Sequence, residues 1–166
     1  SSSTCHVLMP SYKDFFPDDI HDKIEVIPSP ISSPLRVANT EFVNASGRYI
    51  ILYSGRFSFE KRVHLLIDAF SNLKDDFSDW DLWLVGDGPQ EIELIKQVDS
   101  LGLSDRVRVF KVQNTDEMYE IYPLVNVFVL PSIQEGCPMA LREAMIHKIP
   151  VIGFSDCSGT NEIVDD

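Results

Sequence analysis

From residue 48 onward, short apolar segments alternate with segments whose apolar residues recur every three or four positions. The first kind of segment is typical of strands buried on both faces, and the second is typical of helices. A chain with this alternation buries its apolar residues best in a parallel sheet that has helices on both faces. The sequence therefore predicts an α/β fold built on a Rossmann-like parallel sheet.

The bounds of the elements follow from where each apolar pattern starts and stops. The predicted strands are 49–53, 81–85, 106–112, 125–130 and 150–153, and the predicted helices are 61–73, 89–101, 116–122 and 139–147. Residues 1–40 differ, because they are rich in proline and contain only two apolar runs. Such a segment is typical of an extended connector with at most short edge strands. We therefore assign residues 1–40 to a connector and the trailing end of a preceding domain, and residues 41–166 to one domain.

Composition limits the partners and the compartment. The formal net charge of -12 argues against nucleic acid or an anionic membrane as the main partner. Cys5, Cys137 and Cys157 are odd in number and irregularly spaced, which predicts no disulfide framework and a reducing compartment, the cytoplasm. The chain shows neither a signal-peptide pattern nor an apolar run of about 18 residues. Because it does not begin with methionine, we expect it to be a piece of a longer chain.

Five loops follow the predicted strands at their carboxyl ends. In an open parallel sheet, ligands bind beyond this edge, at the point where the loops meet. The loops span 54–61, 86–89, 112–115, 131–138 and 155–162. Their convergence favours a binding site over a set of unrelated solvated turns.

The loop 131–138 and the helix after it have the features of an anion site. Pro138 suits the first helical position, because proline lacks the N–H that would be unpaired there. The N–H groups of Met139 and Ala140 would then be free at a helix N-terminus, where phosphate binds readily. Gly136 allows the backbone to approach a ligand closely.

Two carboxylates and two cations lie in or beside these loops. Glu135 and Glu143 could accept hydrogen bonds from a sugar ring and from a ribose diol. Arg56 and Lys61 could hold a diphosphate. A lysine in the first turn of a helix is unfavourable against the helix dipole, so a functional role would explain the position of Lys61. The alternative interpretation is a surface arginine, two solvated glutamates, and a lysine paired with Glu60 or a nearby aspartate.

Other chemistries find little support in the sequence. The histidines lack the spacing of metal ligands, and residues 79–81, which imitate a DxD metal motif, precede their strand and so lie at its amino end. Cys137 has no histidine or asparagine nearby to activate it as a nucleophile. The loop 86–89 lacks the fingerprint of dinucleotide-binding proteins. We therefore predict no metal and no bound cofactor.

Five motifs occur in a fixed order. The first is SGR at 54–56 followed by EK at 60–61, and the second is LVGDGP at 84–89. The third consists of VLPS at 129–132, EG at 135–136 and EAM at 143–145. The fourth is IPVI at 149–152, and the fifth is Gly159 followed by EIV at 162–164. In this order they resemble the group 1 glycosyltransferases, the retaining GT-B superfamily that is often called family 4. The resemblance covers residues 48–166, and the spacing from Glu135 to Glu143 matches the E-x7-E motif of that family.

The resemblance implies that the chain is the C-terminal, donor-binding half of a two-domain enzyme. Such an enzyme transfers a sugar from a UDP- or GDP-sugar to an acceptor hydroxyl, with retention and without a metal, in the synthesis of cell-surface polysaccharide or glycoconjugates. The acceptor, a glycan or glycolipid, would bind the N-terminal domain, and the full-length enzyme is compatible with peripheral membrane association.

The resemblance also implies roles for individual residues. Arg56 and Lys61 would hold the diphosphate, Glu135 would bind sugar hydroxyls, Glu143 would bind the ribose, and the backbone near Lys111 and Val112 would meet the base. The implied catalytic residues are Arg56, Lys61 and Glu135, and the implied donor-binding residues are Gly55, Val112, Gly136, Cys137, Pro138, Met139, Ala140 and Glu143.

The sequence departs from the family pattern at three places. Lys111 stands where glycine is frequent, His147 and Lys148 replace a turn of small residues, and the chain stops before the last strand of the family domain. Because the resemblance also implies that the acceptor-binding domain is not part of this chain, we expect the isolated chain to be inactive as a transferase. Two alternatives remain open, a non-enzymatic nucleotide-sugar-binding domain and a GT-B-fold epimerase or phosphorylase, although no residue marks the pyridoxal-phosphate lysine of a phosphorylase.

Overall fold

A parallel sheet of five strands forms the centre of the protein. The structure, a computed structural model, describes residues 4–164. The central strands are β3 (Tyr49–Ser54), β4 (Trp80–Val85), β5 (Val107–Phe110), β6 (Val127–Leu130) and β7 (Val151–Gly153), which follow β1 (Cys5–Val7) and β2 (Ile24–Val26). The order across the sheet is β5-β4-β3-β6-β7, with β3 in the middle. The predicted parallel sheet is confirmed.

Four helices connect these strands, namely α1 (Val63–Leu73), α2 (Glu91–Ser100), α3 (Thr115–Ile121) and α4 (Met139–Ile146). The chain moves from β3 to β5 in one direction and from β6 to β7 in the other. Because crossovers between parallel strands are right-handed, this reversal places α1 and α2 on one face and α3 and α4 on the other. The predicted cover of helices on both faces is confirmed.

The start of α1 corrects one prediction. The helix begins at Val63, because Arg62 adopts a left-handed conformation with φ 49°, and a separate 3-10 turn covers Phe59–Lys61. Lys61 therefore lies before the α-helix, and the argument that it opposes the dipole of a first helical turn was wrong.

Two further predicted helix starts shift by one or two residues. Pro138, expected as the first helical residue, occupies the position before it, since its ψ of 84° is not helical. The helix predicted to start at Pro89 begins at Glu91 and buries only Leu94 and Val98. These two side chains are four residues apart, one helical turn, so α2 contacts the core along a single narrow stripe.

Asn126 ties the segment before the sheet to the sheet itself. Its side chain is 4% exposed, and its Nδ2 donates to the carbonyl oxygens of Thr40 at 2.8 Å and Phe42 at 2.9 Å. Its Oδ1 accepts a hydrogen bond of 2.7 Å from the N–H of Ile50 in β3. A buried amide with all of these partners fixes the path of the chain into the first central strand.

The segment before residue 40 contains more structure than its sequence predicts. β1 and β2 are three residues each and pair with one another, as expected for short strands, but two 3-10 helices, Pro10–Phe15 and Asp18–Lys23, were not predicted. The N–H of Ser11 donates to Glu162 at 3.1 Å, and Arg142 donates to the carbonyl of Ser29 at 2.9 Å. The segment thus packs on the later loops, and a domain boundary near residue 40 stays a prediction.

An apolar groove lies on the α1 side of the sheet. It has a volume of about 320 Å³ and is lined by Ile51, Leu66, Ala69, Phe70, Leu73, Phe77, Trp80, Val127, Val129 and Ile152. Leu73 and Ile152 are 48% and 56% exposed, so α1 covers only part of this face.

Candidate functional site

The loops after β3 and β4 approach each other closely at the carboxyl edge of the sheet. A side chain at Gly86 would place its Cβ 1.9 Å from the carbonyl oxygen of Gly55, so only glycine fits there. The hydroxyl of Tyr53, which is fully buried, donates to the carbonyl of Arg56 at 2.9 Å. These contacts fix the loop that carries Arg56, whose side chain is exposed.

Two cavities open along this edge and share one wall. The smaller has a volume of about 280 Å³ and is lined by Tyr53, Ser54, Gly55, Arg56, Lys61, Leu130, Glu135, Cys137, Pro138, Met139, Ala140 and Leu141. The larger has a volume of about 700 Å³ and is lined by Ser54, Gly55, Arg56, Val85, Gly86, Asp87, Gly88, Pro89, Glu91, Lys111 and Val112. The shared wall consists of Ser54, Gly55 and Arg56.

Glu135 and Lys61 meet in the smaller cavity. Lys61 Nζ lies 2.7 Å from Glu135 Oε1, and Ser132 Oγ donates to the same oxygen at 2.5 Å. The Glu135 side chain is 8% exposed. Within residues 4–164 its second oxygen, Oε2, receives no hydrogen bond, so this atom is free to accept one from a ligand hydroxyl.

The pairing of Lys61 with Glu60, which was the alternative interpretation, does not occur. Glu60 instead accepts a hydrogen bond of 2.6 Å from Ser58 Oγ, which holds the pKa of the Glu60 carboxyl below its usual value. Lys61 points to the other side, where Glu135 uses one of its three N–H donors. The two remaining donors leave Lys61 able to contact an anion beside Glu135.

The N-terminus of α4 forms another wall of the smaller cavity. Met139 and Ala140 line this cavity. Further along the helix, the N–H of Arg142 donates to the carbonyl of Pro138 at 3.1 Å. The N–H groups of the first turn before Arg142 are those that a helix leaves without a helical partner. Together with the two remaining donors of Lys61, these N–H groups supply one cavity with several donors for an anion beside Glu135.

Gly136 and Glu143 lie outside the lining of both cavities. Gly136 faces the N-terminal segment, because a Cβ there would come within 2.6 Å of the Tyr12 hydroxyl. Glu143 Oε2 accepts a hydrogen bond of 2.9 Å from the hydroxyl of Tyr122. Of the implied site residues, these two are therefore not brought into the cavities, and Glu143 lies beside the cavities on α4.

Tyr122 and His147 form the packing under Glu143. Tyr122 is fully buried, and burial together with the Glu143 charge raises the pKa of its hydroxyl above the ordinary value. The His147 ring lies 4.6 Å from the Tyr122 ring, and its Nδ1 is 2.7 Å from the Glu143 carbonyl. The sequence offered no signal for this cluster, because Tyr122 is 21 residues from Glu143.

Lys111 lines the larger cavity together with two acidic side chains. Its Nζ is 2.9 Å from Glu91 Oε2 and 4.0 Å from Asp87 Oδ2. The hydrogen bond that Lys111 donates to the Glu91 carboxylate raises the pKa of Lys111 above its usual value. Val112, expected near the base, lines the same cavity.

The residues that imitate a DxD motif lie away from both cavities. Asp81 is 6% exposed, contacts Arg48 at 3.3 Å and accepts a hydrogen bond of 2.6 Å from Asn44. Asp81 lies at the amino end of β4, as predicted, but it is the second residue of the strand and is buried, so the expected capping or surface position is wrong for it. Across residues 4–164, the His, Cys, Asp and Glu side chains form no group of three or more that could hold a metal ion.

None of the helices between residues 4 and 164 has the length and apolar character needed to cross a membrane.

Comparison with known proteins supports the fold and identifies the family. The family model described as "Glycosyl transferases group 1" matches residues 38–166. The amylovoran biosynthesis glycosyltransferase AmsD of Erwinia amylovora is 30% identical over 116 residues, 70% of this chain and 32% of its own length. The alpha-D-kanosaminyltransferase of Streptomyces kanamyceticus is 31% identical over 119 residues, 72% of this chain and 31% of its own length. The chain thus spans about a third of the length of these relatives.

A solved structure shares the fold over almost the whole chain. The complex of a TarM mutant of S. aureus with Fondaparinux, alpha-GlcNAc-glycerol and UDP superimposes with a TM-score of 0.80 and 21% identity, and the match covers 98% of this chain and 32% of TarM. The expected GT-B fold is thereby confirmed. Because the family model matches more than half of its residues, the chain belongs to the group 1 glycosyl transferases.

Proposed function

We propose that this chain is the nucleotide-sugar-binding half of a retaining glycosyltransferase that transfers a sugar from a UDP- or GDP-sugar to an acceptor hydroxyl. The observation that carries the proposal is the pair of adjoining cavities whose shared wall contains Arg56. A nucleotide sugar has two parts joined by a diphosphate, and the two cavities joined at a cation match that arrangement.

The diphosphate would lie at the shared wall. Arg56 would contact it from the β3 loop, and the first N–H groups of α4 and Lys61 would contact it from the smaller cavity. The sugar would then fill the smaller cavity, where Glu135 Oε2 can accept a hydrogen bond from a hydroxyl. The nucleoside would occupy the larger cavity, and Glu143 would reach the ribose from α4.

The chemistry assigned to these residues is stabilisation of the leaving group. Negative charge builds on the diphosphate as its bond to the sugar breaks, and Arg56 and Lys61 would interact with that charge. Loss of one such preorganised contact costs about 2.7–4 kcal/mol in other enzymes. The acceptor would enter from a preceding domain, with the diphosphate helping to take its proton, and no metal is required.

The names of the relatives guide the wider role. AmsD is named for amylovoran biosynthesis and the Streptomyces enzyme for transfer of kanosamine. These names support a role for the whole protein in the synthesis of cell-surface polysaccharide or glycoconjugates. We further propose a glycan or glycolipid acceptor, a cytoplasmic location and peripheral contact with the membrane, which rest on the resemblance and the cysteine content alone.

Calorimetric titration of the 166-residue chain with UDP, GDP and the corresponding sugar nucleotides tests the proposal. We expect binding, and we expect Arg56→Ala to weaken it at least tenfold because the diphosphate loses a charge-assisted contact. Arg36→Ala is the matched control, since Arg36 lies on the surface and contacts Glu120 at 3.7 Å. A folded chain that binds none of these nucleotides would contradict the proposed function.

A further inference from the structure

We propose that Lys111, with Asp87 and Glu91, selects nucleotides with a keto base, uracil or guanine, over those with adenine. The inference rests on the proposed function and adds the residues that discriminate between bases. It depends on the position of one lysine in the larger cavity, on the two carboxylates that hold it, and on the hydrogen-bonding edges of the bases.

Two separate elements hold Lys111 at the wall of the cavity. Lys111 is the first residue after β5, and its Nζ lies 2.9 Å from Oε2 of Glu91, the first residue of α2. Asp87, in the loop after β4, approaches it at 4.0 Å. The ammonium group therefore stays at the cavity wall, although the lysine side chain is 48% exposed.

Lys111 stands at the far end of the cavity from Arg56. Arg56 follows β3 and Lys111 follows β5, and β4 lies between these two strands. Neighbouring strands are about 4.8 Å apart, so the two strand ends are separated by about 10 Å. With the diphosphate at Arg56, the group that reaches Lys111 across the cavity is the base.

The hydrogen-bonding pattern at this end matches a keto base. An ammonium group has three N–H donors, and the contacts to Glu91 and Asp87 leave at least one for a ligand. Each carboxylate contacts Lys111 through one oxygen, which leaves its second oxygen as an acceptor. The wall therefore presents a donor beside acceptors.

Uracil and guanine present the complementary pair, a carbonyl oxygen next to a ring N–H. Adenine presents the reverse pair, an amino group next to an unprotonated ring nitrogen. Its amino group would face the ammonium, donor against donor, and its ring nitrogen would face a carboxylate, acceptor against acceptor. A cavity wall that matches a keto base therefore rejects adenine, because hydrogen-bonding groups of both the base and the wall are left without partners.

Isothermal titration of UDP, GDP and ADP against the 166-residue chain and its Lys111→Met variant tests the inference. We expect the wild type to bind UDP and GDP about tenfold more tightly than ADP, the effect of one lost charge-assisted hydrogen bond in a partly exposed site. In Lys111→Met the ratio of the affinities for UDP or GDP to that for ADP should fall to about one, because UDP and GDP bind more weakly and ADP binding changes little. Lys96→Met, which removes an exposed lysine from α2, should leave all three affinities unchanged.

The other outcomes separate this inference from the proposed function. If Lys111→Met weakens all three nucleotides by the same factor, Lys111 contacts the phosphates and the base inference is wrong. Equal binding of ADP and UDP by the wild type would also overturn it, while leaving the proposed function intact. No binding of any nucleotide by a folded chain would count against the proposed function itself. The variants Asp87→Asn and Glu91→Gln should reduce the keto preference without abolishing binding.

Discussion

At the scale of single residues, Glu135 divides its two carboxylate oxygens between two tasks. Oε1 accepts from Lys61 and Ser132, which fixes the orientation of the carboxylate, and Oε2, which has no partner within residues 4–164, would accept from a ligand on the proposed function. A carboxylate held in this way loses little further freedom when a ligand binds, which favours affinity. The same arrangement keeps the ammonium of Lys61 at a defined place beside the N-terminus of α4.

Tyr122 has a comparable role for Glu143, and Tyr122→Phe tests it. The variant keeps the ring in its buried position but removes the 2.9 Å hydrogen bond to Glu143. We expect the free energy of unfolding in urea to fall by about 1–2 kcal/mol and the affinity for UDP to fall as Glu143 gains freedom. Tyr119→Phe is the matched control, because its hydroxyl bonds no group within residues 4–164. Equal effects of the two variants would contradict the role of Tyr122.

Two buried tyrosines make the fold sensitive to alkaline pH. Burial, with the nearby charges of Glu135 and Glu143 respectively, raises the pKa of Tyr53 and of Tyr122. An unfolded tyrosine loses its proton near pH 10, whereas these two keep theirs to higher pH. The unfolded state therefore binds fewer protons above about pH 10, and stability that is complete below that pH is lost as the pH rises further. Urea unfolding between pH 8 and 11 should show this decline, and Tyr122→Phe should reduce its slope.

Sequence reasoning reached some of these residues and missed others for a physical reason. Glu135, Arg56 and Lys61 stand in loops at the carboxyl ends of strands, which topology alone brings to one edge. The partners that orient them are separated along the chain, 74 residues for Lys61 and Glu135. No local pattern encodes such a pair, so the contact between Lys61 and Glu135 appears only in the folded structure.

At the scale of elements, the end of α4 forms a Schellman motif without glycine. The N–H of Ile149 donates to the carbonyl of Ala144 at 3.1 Å, and the N–H of Lys148 donates to that of Met145 at 2.9 Å. This motif requires a left-handed residue, which here is Lys148 with φ 61°. Because His147 and Lys148 replace the small residues of the family pattern, a residue with a long side chain occupies the left-handed position.

Lys148→Gly should stabilise the protein. A left-handed conformation costs a residue with a side chain roughly 1–2 kcal/mol, and the greater chain entropy of unfolded glycine offsets part of that gain. We expect the free energy of unfolding to rise by about 0.5–1 kcal/mol, measured by urea denaturation. Lys148→Ala removes the same charge but keeps a Cβ, so it should bring no such gain. A gain of the same size for alanine would mean that charge, and not backbone strain, is responsible.

The strands were predictable and the short helical turns were not. The strands of the central sheet are near-continuous apolar runs, so their existence and order along the chain follow from the sequence. The 3-10 helices before residue 24 and the turn Phe59–Lys61 lack a helical repeat of apolar residues. The first of these helices bonds to Glu162 through Ser11, and the carbonyl of Glu60 in the turn accepts from the N–H of Ile133. Helix starts were displaced for a similar reason, since Arg62 and Pro138 take conformations that no apolar pattern reveals.

At the scale of the whole molecule, residues 4–47 are tied to the sheet at several points. Asn126 holds the carbonyls of Thr40 and Phe42, and Glu162 accepts hydrogen bonds from both the N–H and the hydroxyl of Ser11. The last of these joins the first 3-10 helix to the loop at Glu162, 151 residues away along the chain. The loop that carries Glu135 meets the same region, because the N–H of Glu135 donates to the carbonyl of Ser158 at 3.0 Å.

Glu162→Ala should loosen this connection without unfolding the sheet. Both hydrogen bonds from Ser11 are lost, so we expect limited proteolysis within residues 10–30 to become several times faster while the melting temperature changes by only a few degrees. Glu93→Ala, an exposed change on α2, serves as the control and should leave cleavage unaltered. An unchanged cleavage rate in Glu162→Ala would show that other contacts hold the segment.

The shared wall of the two cavities has a consequence for turnover. Arg56 belongs to both cavities, so on the proposed function a nucleoside diphosphate would keep that contact after its bond to the sugar has broken. The spent donor would then compete with a fresh one for the same arginine. The catalytic cycle would be limited by departure of the nucleoside diphosphate, and the enzyme would be inhibited by its own product in proportion to how well the larger cavity fits the base.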